Sequence, residues 1–301
     1  MDAVIDVGSN TVRMLIGECR DDSVFPKSYE RRITRLAGGI SAQSALAAAG
    51  MQRTLEALEA FSEIIATHKI NKIRAVGTAA LRRAGNRQSF IDQVQSATNL
   101  NIEVIAGQEE ARLMAKGVLS VVRPLPAAAM IIDIGGGSTE FVCLQNGLVQ
   151  HQHSYQLGVV LLSEDYPASA PRKAHIDNIL NQFEKALAER GIRDRSYQLI
   201  GTAGTITTLA AMQLELKKYD YTKINNHRLT ARWMEEAYQK LEPMPVSERE
   251  SLVGMETGRG DLIIPGLEIL LQLLKRFACS EMIVADSGLL EGLLLDLSAA
   301  S

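Results

Sequence analysis

The sequence is poor in the features that mark several protein classes. Its three cysteines, Cys19, Cys143 and Cys279, show no CxxC spacing, which argues against a disulfide framework or a zinc site and favours reduced thiols. The longest apolar run near the C-terminus, 262–274, is interrupted by proline, glycine and glutamate and is too short to span a bilayer. The net charge is only −3, so composition does not indicate a general nucleic-acid or membrane-surface binder.

Two further absences concern targeting and nucleotide chemistry. The N-terminus begins directly as a strand, without a basic stretch or a long apolar one, so we expect no signal peptide and a soluble, cytoplasmic protein. No Gly-x4-Gly-Lys-Ser/Thr motif occurs, which excludes the usual nucleoside-triphosphatase loop. What is present is a globular composition, with 46% hydrophobic and 22% charged residues over 301 positions, a length that favours two domains.

Short apolar runs alternate with helical patterns along the whole chain, which predicts an α/β fold. The predicted strands are 4–7, 14–17, 72–77, 102–105, 130–134, 139–144, 197–200 and 283–285. The predicted helices are 46–68, 79–84, 108–119, 175–190, 209–216 and 288–297. The stiff segment Arg123-Pro124-Leu125-Pro126 favours a boundary there, with domains at 1–124 and 125–301.

A strand, a glycine turn and a second strand occur twice, at 6–11 and at 133–139, and the two aspartates Asp6 and Asp133 are 127 positions apart (133 minus 6). Backbone N–H groups of such turns can converge on a phosphate, and a carboxylate at the end of the preceding strand can hold Mg²⁺. A plain hairpin would explain either turn alone, but one in each half predicts a two-sided phosphate clamp across a cleft. The predicted phosphate-binding residues of the two turns are Gly8, Ser9, Asn10, Thr11, Gly135, Gly136, Gly137 and Ser138.

Other polar groups allow two interpretations each. Glu109 and Glu110 begin a helix, where they would stabilise the helix dipole or supply a general base for an attacking water. The basic cluster at 82–87, with Arg82 and Asn86, suits a phosphate chain or a solvated helix face. His151 and His153 have no nearby third ligand, which favours core or surface positions over a metal site.

At these residues the sequence resembles the exopolyphosphatase / guanosine pentaphosphate phosphohydrolase family, within the superfamily of actin, sugar kinases and chaperone ATPases. The resemblance runs nearly end to end. The segments that carry it are Asp6-Val7-Gly8-Ser9-Asn10-Thr11, Gly77-Thr78 with Leu81-Arg82 and Asn86, Gly107-Gln108-Glu109-Glu110-Ala111-Arg112, Ile132-Asp133-Ile134-Gly135-Gly136-Gly137-Ser138-Thr139-Glu140, Gly201-Thr202-Ala203-Gly204-Thr205 and Arg259-Gly260-Asp261.

The resemblance implies two ribonuclease-H-like domains facing a cleft that holds the substrate phosphates. It implies that Glu110 acts on water and that Asp133 and Glu140 serve the metal and catalysis, with Asp6 as a further metal candidate. Ser138, Asn10, Arg82 and Asn86 match positions that line the phosphate path, and relatives suggest a homodimer. The chain resembles the short, two-domain form, but it has Leu161 and Leu290 where many short relatives have arginine.

We therefore expect a Mg²⁺-dependent hydrolase that releases terminal phosphate from inorganic polyphosphate or guanosine pentaphosphate. The sequence does not choose between these two substrates. Two alternatives are phosphoryl transfer to a small acceptor and a non-catalytic sensor of polyphosphate or an alarmone. A water-activating carboxylate at position 110 favours hydrolysis over both.

Overall fold

The computed structural model describes residues 1–20, 23–38, 45–192 and 197–299. The strands are β1 (Asp2–Val7), β2 (Thr11–Arg20), β3 (Ser23–Ile33), β4 (Ile73–Gly77), β5 (Ile102–Val104), β6 (Ala128–Ile134), β7 (Thr139–Gln145), β8 (Leu148–Tyr155), β9 (Gln198–Thr202), β10 (Arg228–Thr230) and β11 (Glu281–Val284). The helices are α1 (Ala48–Ala66), α2 (Ala79–Arg83), α3 (Arg87–Thr98), α4 (Gly107–Val121), α5 (Val159–Asp165), α6 (Ser169–Glu189), α7 (Gly204–Gln213), α8 (Tyr221–Ile224), α9 (Ala231–Leu241), α10 (Val246–Glu250), α11 (Ile263–Arg276) and α12 (Leu289–Ala299). The predicted α/β class is confirmed.

Both sheets are built on one plan. The first has the order β3-β2-β1-β4-β5, and the second has the order β10-β11-β9-β6-β7-β8. In each sheet a central strand pairs antiparallel with the next strand in sequence and parallel with a later one, as β1 does with β2 and β4 and β6 does with β7 and β9. The repeat that the sequence shows in two short turns therefore extends to the order and direction of five strands.

The chain forms two compact units, Met1–Ser120 with Ser287–Ser301, and Val121–Asp286. These ranges differ from the predicted 1–124 and 125–301 because the C-terminal helix returns to the first unit. α12 packs on β1 and β2, where its leucines are buried with Val4 and Leu15. Asp296 of the same helix forms ion pairs with Arg74 and Arg112 of the first unit. Chain order alone does not reveal such a return.

Most predicted elements are observed within a few residues, and the differences have local causes. The helix predicted at 175–190 begins earlier, at Ser169, and the one predicted at 209–216 runs from Gly204 to Gln213. The small residues at 201–205 indicated a loop. In the structure only Ala203, with a positive φ of 70°, lies between the end of β9 and the start of α7. The sequence pattern did not predict β3, β8 and β10, whose mixed polarity follows from their positions as outer strands. It also did not predict helices α3, α5 and α8 to α11.

The apolar run at 262–274 is part of α11, a helix of the second unit. Pro265 lies in the first turn, where its missing N–H is not required. Glu268 on this helix is 2% exposed, and its Oε1 accepts hydrogen bonds from Arg172 Nη2 at 3.0 Å and from Tyr238 at 2.9 Å. Arg172 neutralises the buried charge of Glu268, and Tyr238 adds a hydrogen bond, so the Arg172–Glu268 ion pair is structural. In the described ranges, no helix is long and apolar enough to cross a membrane.

Two glycines set the closest approach of helices in the first unit, where α12 crosses α4. A Cβ added at Gly292 would lie 1.8 Å from the carbonyl oxygen of Leu113, and one added at Gly117 would lie 1.9 Å from that of Gly288. Backbone atoms cannot move aside as side chains can. The two helices would have to separate to admit even a methyl group.

Gly292→Ala is therefore expected to destabilise the first unit by about 1–3 kcal/mol, the usual range for overpacking a close contact. Alanine is the better helix former, so propensity alone predicts the opposite sign. The measurement is an unfolding curve in urea that is monitored by circular dichroism. Ser298→Ala on the same helix is the control and should change stability by no more than about 0.5 kcal/mol. A Gly292→Ala protein as stable as the parent would contradict the close crossing.

Candidate functional site

The two predicted phosphate turns have the same backbone geometry. In the first, the amide of Gly8 donates to the carbonyl of Thr11 at 3.0 Å, and in the second the amide of Gly135 donates to the carbonyl of Ser138 at 2.9 Å. Ser9, Asn10 and Ser138 are buried, with 5–6% exposure. Each turn thus closes a tight hairpin between a central strand and its antiparallel neighbour. Whether the two hairpins meet across one cleft stays a prediction.

The residue opposite each aspartate differs between the two hairpins. Asp6 is paired across the strands with Arg13, and Asp133 is paired with Glu140. The two pairs are separated by the same 127 positions (133 minus 6, and 140 minus 13). One scaffold therefore presents a cation beside its aspartate in the first unit and a second carboxylate in the other.

In the first unit the aspartate holds an arginine. Asp6 Oδ2 accepts hydrogen bonds from Arg13 Nε at 3.0 Å and from Nη2 at 2.6 Å. Asp6 is 4% exposed, whereas the Arg13 side chain is 23% exposed. In the described part of the chain the buried Oδ1 of Asp6 has no hydrogen-bond partner. The pair fixes the direction of the Arg13 guanidinium, and Asp6 is less suited to a metal than predicted because Arg13 occupies half of its carboxylate.

In the second unit the carboxylates of Asp133 and Glu140 lie at paired positions. Glu140 is 2% exposed, and its Oε1 accepts a hydrogen bond from Ser154 Oγ at 2.6 Å. Ser154 lies opposite Glu140 on β8, so the three residues form one row across β6, β7 and β8. The sequence analysis did not single out Ser154, because only the strand register places it there.

This acidic pair fits Mg²⁺ better than a metal that needs a full protein cage. Mg²⁺ takes oxygen ligands, keeps several waters and is commonly bound by one or two carboxylates together with substrate phosphates. Within the ranges that the structure describes, no group of three His, Cys, Asp or Glu side chains could hold a metal ion. That Asp133 and Glu140 hold Mg²⁺ stays a prediction.

The triple-glycine turn has backbone amides to offer. The carbonyl of Gly135 accepts from the amide of Val159 at 3.0 Å, and that of Gly136 accepts from Val160 at 2.9 Å and Leu161 at 3.1 Å. Among the described residues, no hydrogen bond uses the amides of Gly136 and Gly137. Amides left in this way are suited to an anion.

Glu110 and Arg82, predicted for different roles, are in contact. Arg82 Nη1 donates to Glu110 Oε2 at 2.5 Å and to the carbonyl of Ile105 at 3.2 Å. Glu110 is 8% exposed. The neighbouring Glu109 instead pairs with Arg112 on the surface, and this hydrogen bond lowers the pKa of Glu109 despite some burial. The two glutamates, equivalent by spacing, are thus distinguished by their surroundings.

Asn86 has a structural role in the first unit. Its Oδ1 accepts from the amide of Leu46 at 2.8 Å, and its Nδ2 donates to the carbonyl of Leu46 at 3.1 Å. The side chain thereby holds the segment before α1 against the start of α3. Both polar groups of Asn86 are used in this way. Its role in phosphate binding stays a prediction.

The β9–α7 turn brings in an arginine to which the sequence analysis gave no role. A Cβ at Gly204 would lie 1.6 Å from Arg259 Nη2, so the guanidinium lies directly against the first residue of α7. Arg259 is 8% exposed and bonds to Glu256, whose negative charge offsets an otherwise unfavourable cation at a helix N-terminus. The preceding Ala203, with φ 70° and ψ 172°, adopts a conformation that is almost restricted to glycine and costs an alanine about 1–3 kcal/mol.

The remaining candidates lie in the cores. Leu161 is buried in the core of the second unit, and Leu290 is buried in the core of the first unit. Neither leucine therefore stands at a position that faces solvent. His151 packs on Phe183 and His153, with ring centroids 6.0 and 6.3 Å apart. Burial first, and then the charge of Arg190 and the neighbouring His153, lowers the pKa of His151 to about 4.

Comparison with known proteins gives a consistent result. The model of the Ppx/GppA phosphatase family matches residues 19–300. The chain is similar to Exopolyphosphatase 2 of Mycobacterium tuberculosis, with 29% identity covering 98% of each chain. It is also similar to the guanosine-5'-triphosphate,3'-diphosphate pyrophosphatase of Aliivibrio fischeri, with 30% identity covering 97% of this chain and 58% of that protein. The crystal structure of an exopolyphosphatase from Cytophaga hutchinsonii superimposes with a TM-score of 0.88 at 27% identity, covering 99% of this chain and 97% of that one.

The buried His151 predicts a pH dependence of stability. Its folded pKa of about 4 lies below the ordinary value of 6.5, so the free energy of unfolding is highest above pH 6.5. It should fall between pH 6.5 and 4, because the unfolded chain binds a proton that the folded chain does not, with a slope of at most about 1.4 kcal/mol per pH unit. Urea unfolding at several pH values measures this slope. His151→Leu should have a shallower slope than the parent, and identical slopes would contradict the assignment.

Proposed function

The chain belongs to the Ppx/GppA phosphatase family, and on that premise we propose that it hydrolyses the terminal phosphoanhydride bond of inorganic polyphosphate or guanosine pentaphosphate. The observation that carries the proposal is the repeated hairpin with opposite charges at one paired position, Arg13 in one unit and Glu140 in the other. A polyphosphate hydrolase needs both cationic groups for the phosphates and carboxylates for a divalent cation. The relatives named above act, by their names, on these two classes of substrate.

Phosphate contacts would come from backbone and guanidinium groups. The free amides of Gly136 and Gly137 would donate to phosphate oxygens, as amides in such turns do. The Arg13 guanidinium, held in direction by Asp6, would bring its positive charge to a neighbouring phosphate. A guanidinium fixed by a carboxylate loses less side-chain freedom on binding than a mobile lysine does.

Asp133 and Glu140 would hold Mg²⁺, and Ser154 would keep the Glu140 carboxylate in position. When bound, Mg²⁺ supplies charge neutralisation at the phosphate oxygens. The two carboxylates at paired positions repel each other, and a cation removes that repulsion. Asp6 contributes through Arg13 in this proposal.

Glu110 would act on the attacking water. The water oxygen forms the new bond to the terminal phosphorus, the bridging P–O bond breaks, and the water proton passes to the Glu110 carboxylate. Arg82 donates to Oε2 of that carboxylate at 2.5 Å, a contact that would fix the direction in which Glu110 meets the water. In this arrangement Arg82 is a positioning residue as well as a candidate phosphate ligand.

Glu110→Gln is expected to lower kcat by about two to four powers of ten, because the amide keeps the shape and removes the base. Released phosphate is measured with Mg²⁺ and long polyphosphate, tripolyphosphate, guanosine pentaphosphate or ATP. Substrate binding by the variant should be preserved. Glu109→Gln, one residue away in the same turn, is the matched control and should keep most activity. Equal activity in the two variants would sink the assignment, and binding without turnover in the parent would favour a sensor.

Ser154→Ala is expected to raise the Mg²⁺ concentration needed for half-maximal activity by about tenfold or more, the usual effect of removing a group that orients a metal ligand. The value of kcat at saturating Mg²⁺ should change little. Ser154→Thr keeps the hydroxyl and should restore the parent value, and Gln150→Ala on the same strand is the control. An unchanged Mg²⁺ dependence in Ser154→Ala would remove Glu140 from the metal site.

A further inference from the structure

Gly158 lies against the peptide that joins Gly136 to Gly137. A Cβ added at Gly158 would be 2.3 Å from the carbonyl oxygen of Gly136 and 2.4 Å from the nitrogen of Gly137. Both are backbone atoms of the triple-glycine turn. Any side chain at position 158 must therefore displace the turn or the segment that carries Gly158.

The backbone conformation of Gly158 does not itself require glycine. Its φ of −138° and ψ of 154° are extended values that every residue adopts. A glycine with positive φ, such as Gly147 at 76°, is needed for its conformation. At Gly158 the contact with the turn excludes a side chain, so a substitution there tests how the turn packs against the segment that carries Gly158.

The segment that follows Gly158 determines which way the turn peptides face. The amides of Val159, Val160 and Leu161 take the carbonyls of Gly135 and Gly136. In a trans peptide the C=O and the N–H point in opposite directions. Because the two carbonyls point to the start of α5, the amides of Gly136 and Gly137 point away from it, toward the open side of the turn.

Two further contacts support this arrangement. Thr139 is fully buried, and its hydroxyl donates to the carbonyl of Leu157, which fixes the residue before Gly158. In the first unit the segment after β3 is used in the same way, since Ala37 donates to Ser9 and both Thr34 and Arg35 donate to Asn10. Both phosphate turns are thus held by the segment that follows the third strand of their sheet.

We infer that Gly158 is a positioning residue of the phosphate-binding turn, and that its bare Cα lets the start of α5 hold the Gly136 and Gly137 amides in the direction required for a phosphate. This inference rests on the proposed function for the identity of the ligand. The geometry of the turn is independent of that identity. Neither the phosphate contacts nor the metal ligands proposed above include Gly158.

The test compares Gly158→Ala with Gly17→Ala. A Cβ at Gly17 would lie 2.8 Å from the carbonyl oxygen of Phe25, an equally backbone-limited contact between β2 and β3, away from the turn. Gly158→Ala is expected to raise the Kd for tripolyphosphate, measured by calorimetry, by about tenfold or more, because small misplacements of donors are costly. Gly17→Ala should lower the unfolding temperature and leave the Kd at the parent value.

A second readout does not depend on the substrate. Spectra of ¹⁵N-glycine-labelled protein should show shifted amide signals for Gly136 and Gly137 in Gly158→Ala and parent-like signals in Gly17→Ala. Unshifted signals, or a parent-like Kd in Gly158→Ala, would overturn the inference. A parent that binds no tripolyphosphate while these signals shift would overturn the proposed function and keep the inference about the turn.

If Gly158→Ala does not fold, Val159→Pro gives the same test. Proline suits the first helical position, and the residue before it is already extended, as a pre-proline residue prefers. The change deletes the amide that holds the Gly135 carbonyl, and it replaces a buried valine side chain by the proline ring. We expect a smaller rise in Kd and a shift confined mainly to the Gly136 amide, and the absence of both would contradict the positioning role.

Discussion

The planarity of the peptide group is the constraint on which the site depends. In each unit a segment after the third strand takes the carbonyls of a hairpin turn, at Ser9 and Asn10 in one and at Gly135 and Gly136 in the other. Since a trans peptide cannot turn its N–H without turning its C=O, these hydrogen bonds also fix the opposite side of the turn. The polar groups offered to a phosphate are thereby set before any phosphate arrives, and binding does not have to order them.

The two hairpins share one strand arrangement and differ in the charge of the residue paired with the aspartate. Both hairpins place an aspartate near the end of the central strand, and the register places one residue directly opposite it. In the first hairpin the opposite residue is Arg13, so Asp6 holds a cation. In the second hairpin it is Glu140, so Asp133 is one of two neighbouring carboxylates. In the proposed function, this one difference in residue type makes the first hairpin the one that binds phosphate and the second the one that binds the metal. The first unit also contains the ion pair between Arg82 and Glu110.

The sequence was sufficient for the fold class, the repeat and the two turns, because these depend on local patterns of apolar residues and glycine. It could not place α12, because the return of this helix to the first unit depends on tertiary packing. Spacing left Glu109 and Glu110 equivalent, and the resemblance favoured Glu110; the structure adds the arginine partners that distinguish them. Asn86 matches a motif but is used by Leu46. Ser154, Arg259 and Gly158 were missed as site residues because strand register and backbone contact define them. Only the spacing of 127, extended to Arg13 and Glu140, could have drawn attention to the charge reversal earlier.

The most direct test of the separate roles of the two hairpins measures two binding reactions in two variants that each lose one charge. One ligand is Mn²⁺, a spectroscopic substitute for Mg²⁺, and the other is a non-hydrolysable imidotriphosphate. Glu140→Gln should weaken Mn²⁺ binding by about tenfold or more, as expected when a metal carboxylate is lost, and leave metal-free binding of the imidotriphosphate near the parent value. Arg13→Gln should show the reverse pattern. If both variants weaken the same ligand to the same extent, the two hairpins do not have separate roles and the account is wrong.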